Sequence, residues 1–221
     1  MREESGSSHT RIDRRRQRTR RQLLQAVIEL LLEKGYEDTM TDEITDRADV
    51  GRRTFYNHFV NKRDCVIEAL KGRFMRYAEE ESGYIPAIAP DRDEALVVAT
   101  MAYRVFLDIA QDPVTERLMH HPKILSEAIA ESQRDYMTAN LARGLASHRL
   151  QPALPVESLE PIMAWGFVGL VTASIGRDSQ AQDGLAWARF VLHNFGLGEA
   201  EIQRLLAEVP RWTPRAKEET R

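Results

Sequence analysis

Residues 48–59 read Ala48-Asp49-Val50-Gly51-Arg52-Arg53-Thr54-Phe55-Tyr56-Asn57-His58-Phe59, and their reading decides the fold. Asp49-Val50-Gly51 forms a turn, and Arg52 to Phe59 follow as a short helix. Phe55 and Phe59 stand four apart, so they share one face and can anchor the helix against a neighbour. The opposite face carries Arg53 and Asn57, with Arg52 and Tyr56 on one flank and Thr54 and His58 on the other. A helix of this kind in the major groove of DNA offers base-edge donors centrally and phosphate donors laterally. Arg52 and Arg53 suit guanine, Asn57 suits adenine, and Tyr56 and His58 can hold phosphates as neutral donors.

Upstream, Leu23, Leu24, Val27, Ile28, Leu30 and Leu31 recur at helical spacing, which predicts a helix from Arg18 to Lys34 with Gly35 as its stop. A second helix runs from about Thr41 to Ala48 with Ile44 inward. Three short helices make a DNA-binding head. Downstream, Asn61 and Asp64 cap a fourth helix that passes Val66, Ile67 and Leu70 towards Glu81 and ends at Ser82-Gly83 and Pro86. Lys62, at its start, reaches the DNA backbone.

Gly35-Tyr36, Thr41-Asp42-Glu43-Ile44, the stretch 48–59 and Asn61-Lys62, taken in that order, resemble the tetracycline-repressor (TetR) family over roughly residues 17–77. The resemblance implies DNA contacts from Thr41, Arg52, Arg53, Thr54, Tyr56, Asn57, His58 and Lys62. It also implies a homodimer and a small-molecule effector bound in a helical body. Three positions depart from the family pattern. Met40 replaces the usual Thr or Ser cap, Thr41 stands where an aliphatic residue is common, and Gly51 where Ser or Ala is. Glycine still serves as an N-cap of the third helix, and Thr41 or Thr39 can cap the second instead.

After the head, apolar-periodic stretches at about 91–109, 124–150, 156–175 and 183–195 are bounded by Pro, Gly or polar residues, and no segment alternates as a strand does. The fold class is all-α, a three-helix helix-turn-helix domain followed by a larger helical ligand-binding and dimerisation domain. The divisions are a basic, flexible arm at 1–16, the head at 17–77, the body at 78–210 and a flexible tail at 211–221. In the arm and the first helix, Arg11, Arg14, Arg15, Arg16, Arg18, Arg20 and Arg21 face only Asp13. This run serves either as a solvated arm or as a phosphate or minor-groove contact.

Gly166, Gly169, Ala173 and Gly176 form a seam of small side chains that permits close helix approach, and Leu185, Ala188, Leu192 and Phe195 make a second stripe. The family pairs its last two long helices across the dimer, so the resemblance places the interface on Gly166, Gly169, Ala173, Gly176, Leu185, Ala188 and Leu192. Packing of the seam within one subunit is the alternative. For the effector site the candidates are Tyr77, Tyr103, Phe106, Met119, His120, Met137 and Trp165. The same Met and aromatic residues would also serve as plain core.

A net charge of −3 excludes a purely electrostatic nucleic-acid binder, so DNA affinity has to come from where the charges sit. The single cysteine, Cys65, excludes an internal disulfide framework and reads as a half-buried structural thiol. No apolar secretory signal opens the chain, and the uncharged run between Glu160 and Arg177 is shorter than the ~20 residues a membrane span needs. The compartment expected is the cytoplasm, with no membrane partner. His120-His121 point about 100° apart on a helix and do not chelate one metal together. No nucleophile motif, phosphate loop or cofactor signature is present, so no enzyme and no cofactor are expected. The reading is a repressor released from a palindromic, double-stranded operator by a small molecule. The alternatives are an activator with the same head, or a helical interaction protein without DNA.

Overall fold

A computed structural model describes residues 5–88 and 93–209, with side chains for residues 13–76, 93–132 and 141–209. All of its elements are helices: α1 Ser5–Asp38, α2 Thr41–Arg47, α3 Arg52–Tyr56, α4 Lys62–Ile88, α5 Glu94–Ala110, α6 Pro113–Arg117, α7 Pro122–Ala146, α8 Val156–Ser174, α9 Gln180–Asn194 and α10 Glu199–Glu208. The chain divides into two compact units, one ending at Leu70 and the other beginning at Lys71. The tail 211–221 lies outside the described residues.

In the first unit Leu23, Val27, Leu30 and Leu31 of α1 are buried, as are Ile44, Phe55, Phe59 and Leu70. Gly35 interrupts it at φ 80°, a left-handed conformation that glycine enters without a Cβ clash. The helix begins upstream of the expected Arg18. It takes in the basic stretch assigned to an arm, because nothing between Ser7 and Lys34 breaks a helix. Neither Thr41 nor Thr39 caps α2. The Thr39 hydroxyl donates instead to the Gly35 carbonyl at 2.6 Å, while Glu43 Oε2 accepts the Met40 N–H at 2.9 Å. The reach back from the third helical position thus replaces the missing cap hydroxyl. Arg47 pairs with Glu33 and Lys34 with Glu43, fixing α2 along α1.

The second unit packs α5 against α9 at close range. Gly184 lets the helices approach: a Cβ there would lie 2.9 Å from the Tyr103 ring and 3.2 Å from Phe106. Asp93 caps α5 by accepting from Ala95 N at 2.9 Å, and Asp112 caps α6 through Val114 N at the same distance. Asp112 is buried, and its charge is met by the Arg73 guanidinium. Arg149 forks onto Asp93 at 2.8 and 2.6 Å and reaches Glu201 at 2.7 Å, tying the end of α7 to the starts of α5 and α10. Among the described residues no helix is long and apolar enough to cross a membrane, and no three metal-ligating side chains gather.

Candidate nucleic-acid interface and cavity

α3 is shorter than expected, ending at Tyr56 with Asn57 as its C-cap. The chain still turns tightly enough there for His58 N and Phe59 N both to donate to Phe55 O at 2.9 Å. Phe55 and Phe59 therefore stay on one side, fully buried, with ring centroids 5.6 Å apart. Arg52, Arg53, Tyr56 and Asn57 are exposed on the other. The Tyr56 ring meets Phe55 edge to face at 5.4 Å between centroids and stays half exposed to water. Thr41 and Thr54 flank this surface half-buried. Arg52 Nε rests 3.3 Å from Asp42, and an ion pair this exposed yields readily to a phosphate or base.

His58 is half-buried, and its Nδ1 has no hydrogen-bond partner among the described residues. Burial first, then the positive charge of Arg20 and Arg16, holds its pKa below the usual histidine value. The ring is thus neutral at pH 7 and can donate or accept a hydrogen bond.

Lys62 differs from the other seven. Its Nζ donates to the Tyr36 carbonyl at 2.7 Å and sits 4.1 Å from the centre of the Tyr36 ring, and burial lowers its pKa. The ammonium is engaged within the head rather than offered outward, because the kink at Gly35 brings Tyr36 over the start of α4. Arg20 is likewise no part of a solvated arm. Its guanidinium forks onto Glu68, donates to His58 O at 3.0 Å and lies 4.6 Å from the centre of the Phe59 ring. Sequence reasoning missed it because its partners lie far away in the chain. Cys65 is fully buried, not half-buried, and burial pushes its thiol up to about 12.

The second unit holds a cavity of about 380 Å³ between α5, α7, α8 and α9. Met101 and Val105, Leu141, Met163 and Phe167, and Trp187 line it. None of the five candidate pocket residues with described side chains does. Tyr103 and Phe106 fill the space over Gly184, while Met119, His120 and Trp165 are exposed. The side chains of Tyr77 and Met137 lie outside the described residues. The usable signal was the aliphatic stripe Val97, Val98, Met101, Val105 on α5.

The small-residue seam is exposed as expected at Gly166, Gly169, Ala173 and Gly176, with Ile162 and Trp165 beside it on α8. The α9 stripe requires correction. Ala188 and Leu192 are fully buried inside the unit, and Leu185 is half-buried. The outward residues of α9 include Ala186 and Phe190, the latter stacked 5.4 Å from Trp187, along with Gln182 and His193. Because Ala186 and Phe190 lie among the outward polar residues of α9, its apolar spacing alone does not mark which face turns inward.

Residues 23–69 match the model of the bacterial regulatory proteins of the tetR family. The chain is similar to the HTH-type transcriptional regulator TcmR of Streptomyces glaucescens, 29% identical over 149 residues, covering 61% of this chain and 62% of the relative. It is also similar to the HTH-type transcriptional activator FasR of Mycolicibacterium smegmatis, 29% identical over 147 residues, covering 61% and 64%. It thus spans less than two thirds of these curated relatives. The crystal structure of RolR in complex with resorcinol superposes with a TM-score of 0.72 at 17% identity, over 88% of this chain and 96% of that one, so the fold is shared. Over residues 23–69, the helix-turn-helix stretch, the chain thus carries the N-terminal domain of the bacterial regulatory proteins of the tetR family.

Proposed function

We propose that the chain is a homodimeric, ligand-responsive transcriptional repressor, released from a palindromic operator when a small molecule occupies the α5–α9 cavity. The observation that carries the reading is the outward set Arg52, Arg53, Tyr56 and Asn57 on a helix anchored by Phe55 and Phe59. Thr41, Thr54 and His58 complete the groove surface, and Lys62 positions it through Tyr36. Two copies pair through the exposed faces of α8 and α9, since one head buries too little DNA for specificity and two heads read half-sites about 10 base pairs or a multiple apart. The compartment is the cytoplasm, where the operator is.

The test is fluorescence anisotropy on duplexes from the gene's own upstream region. Tight, salt-dependent binding that a scrambled duplex does not compete away is expected. Equal affinity for both duplexes would reduce the chain to a helical protein without operator recognition. Activation is the second reading, favoured by the likeness to FasR, described as an activator. A reporter assay with and without the gene gives the sign.

A further inference from the structure

The basic stretch at the start of α1 is helical, and its shape limits what it can touch. Asp13 is the one acidic residue between Ser5 and Ile28, and Arg14-Arg15-Arg16-Gln17-Arg18-Thr19-Arg20-Arg21-Gln22 holds no apolar side chain. The first buried side chain described on α1 is Leu23, so this part of the helix runs on past the core of the head. Its root is fixed beside the end of α3. Arg20 donates to the His58 carbonyl at 3.0 Å and forks onto Glu68, and Arg16 adds its positive charge to that of Arg20 at the His58 ring. Arg15, Arg16, Arg18 and Arg21 are exposed, and among the described residues none of the four is paired with a carboxylate. A helix that lies on a lipid surface needs an apolar face, which this stretch lacks. An α-helix with its side chains is ~10–12 Å across and the minor groove of DNA ~6 Å wide, so the segment cannot lie in that groove as an extended basic arm does.

We infer that the N-terminal part of α1 lies across the sugar-phosphate backbone beside the groove that α3 enters, where Arg15, Arg16, Arg18 and Arg21 neutralise phosphates and add affinity without sequence choice. This rests on the proposal that α3 binds DNA, but the two can fail separately. Each phosphate neutralised steepens the fall of log K with log salt by ~0.9. The full-length protein and a quadruple variant, Arg15→Gln with Arg16→Gln, Arg18→Gln and Arg21→Gln, are titrated by anisotropy between ~50 and ~200 mM salt. The duplexes are the gene's upstream region and a scrambled sequence, each with A·T or G·C flanks. The variant is expected to lose about two to three units of slope on every duplex and to leave the ratio of upstream to scrambled affinity unchanged. Glutamine keeps the helix propensity, so the melting temperature is expected to hold. Lysine at the same four positions is expected to restore the slope, since the contact needs a charge rather than a fork. Should the quadruple variant fail to fold by circular dichroism, Arg15→Gln with Arg18→Gln is expected to remove about half as much.

An unchanged slope in the glutamine variants would overturn the inference, as would lysine failing to restore it. A loss confined to the upstream duplex would mean that the arginines read bases, and a loss larger with A·T than with G·C flanks that they enter the minor groove; either overturns it. An unchanged slope together with arginine-dependent sedimentation on phosphatidylglycerol vesicles would assign the helix to a lipid surface instead. Native protein that binds upstream and scrambled duplexes equally, with the slope still lost in the variant, would uphold the backbone contact and remove operator recognition by α3. Binding to neither duplex would remove both.

Discussion

Arg53 and Lys62 carry like charges in the same head, yet the first points outward from α3 and the second is held by Tyr36. Arg53→Ala is therefore expected to weaken operator binding by about 1–3 kcal/mol and to blur preference at one base position, with the fold intact. Lys62→Met is expected to lower the melting stability of the head by about 1–2 kcal/mol, weakening all duplexes alike. Anisotropy across a panel of single-base operator variants, together with thermal melts, separates the two. Equal loss of discrimination in both variants would contradict the assignment.

His58 gives the head a pH dependence of definite sign. Its folded pKa is depressed, so the unfolded chain takes up a proton that the folded one refuses. The stability this contributes is complete above the unfolded value of about 6.5 and declines as pH falls through it. Melts between about pH 8 and pH 5.5 should show a steeper loss in the native chain than in His58→Gln. Parallel curves would mean that other groups govern the acid limb.

Among the helices, α8 has two unlike faces. Met163, Phe167 and Val171 are buried, while Ile162, Trp165, Gly166, Gly169 and Ala173 are exposed. A Cβ at Gly169 would meet nothing within 4 Å inside its own subunit. Gly169→Leu is thus expected to leave subunit stability unchanged within about 0.5 kcal/mol while shifting the protein towards monomer in sedimentation. A variant that remains dimeric would move the interface elsewhere.

The same helices indicate how much was legible in the sequence. The stop at Gly35, the turn before Arg52 and the Phe55–Phe59 anchor are local, and each could be read from a few neighbouring residues. The outward seam of α8 was legible because small residues expose little to lose. Arg20 on Glu68, Lys62 on Tyr36 and the cavity wall depend on partners distant in sequence, where periodicity gives no instruction. On α9, Ala188 and Phe190 are equally apolar, and only the Tyr103 ring packed over Gly184 determines which one turns inward.

For the molecule as a whole, control of DNA by a ligand demands reciprocity. If a cavity ligand weakens operator binding, the operator must weaken ligand binding by the same factor, typically worth ~1–3 kcal/mol. The chain passes between its two units within α4, which begins at Lys62 and continues to Ile88, so displacement along that helix is the proposed route. Calorimetric titration of a ligand found by thermal-shift screening into free protein and into the protein–operator complex measures the factor directly. Identical affinities in the two titrations would show that cavity and operator are uncoupled.

Cys65, buried and held as an un-ionised thiol, is expected to leave the chain silent towards maleimides and disulfide reagents. The native protein is expected to react with Ellman's reagent only as fast as it unfolds. A single exposed replacement, such as Asp46→Cys on α2, would then accept one nitroxide per subunit with no need to delete the native cysteine. Pulsed dipolar spectroscopy on the labelled protein would report the head-to-head distance of the proposed dimer as a spectrum, read in the free, operator-bound and ligand-bound proteins from one labelled sample.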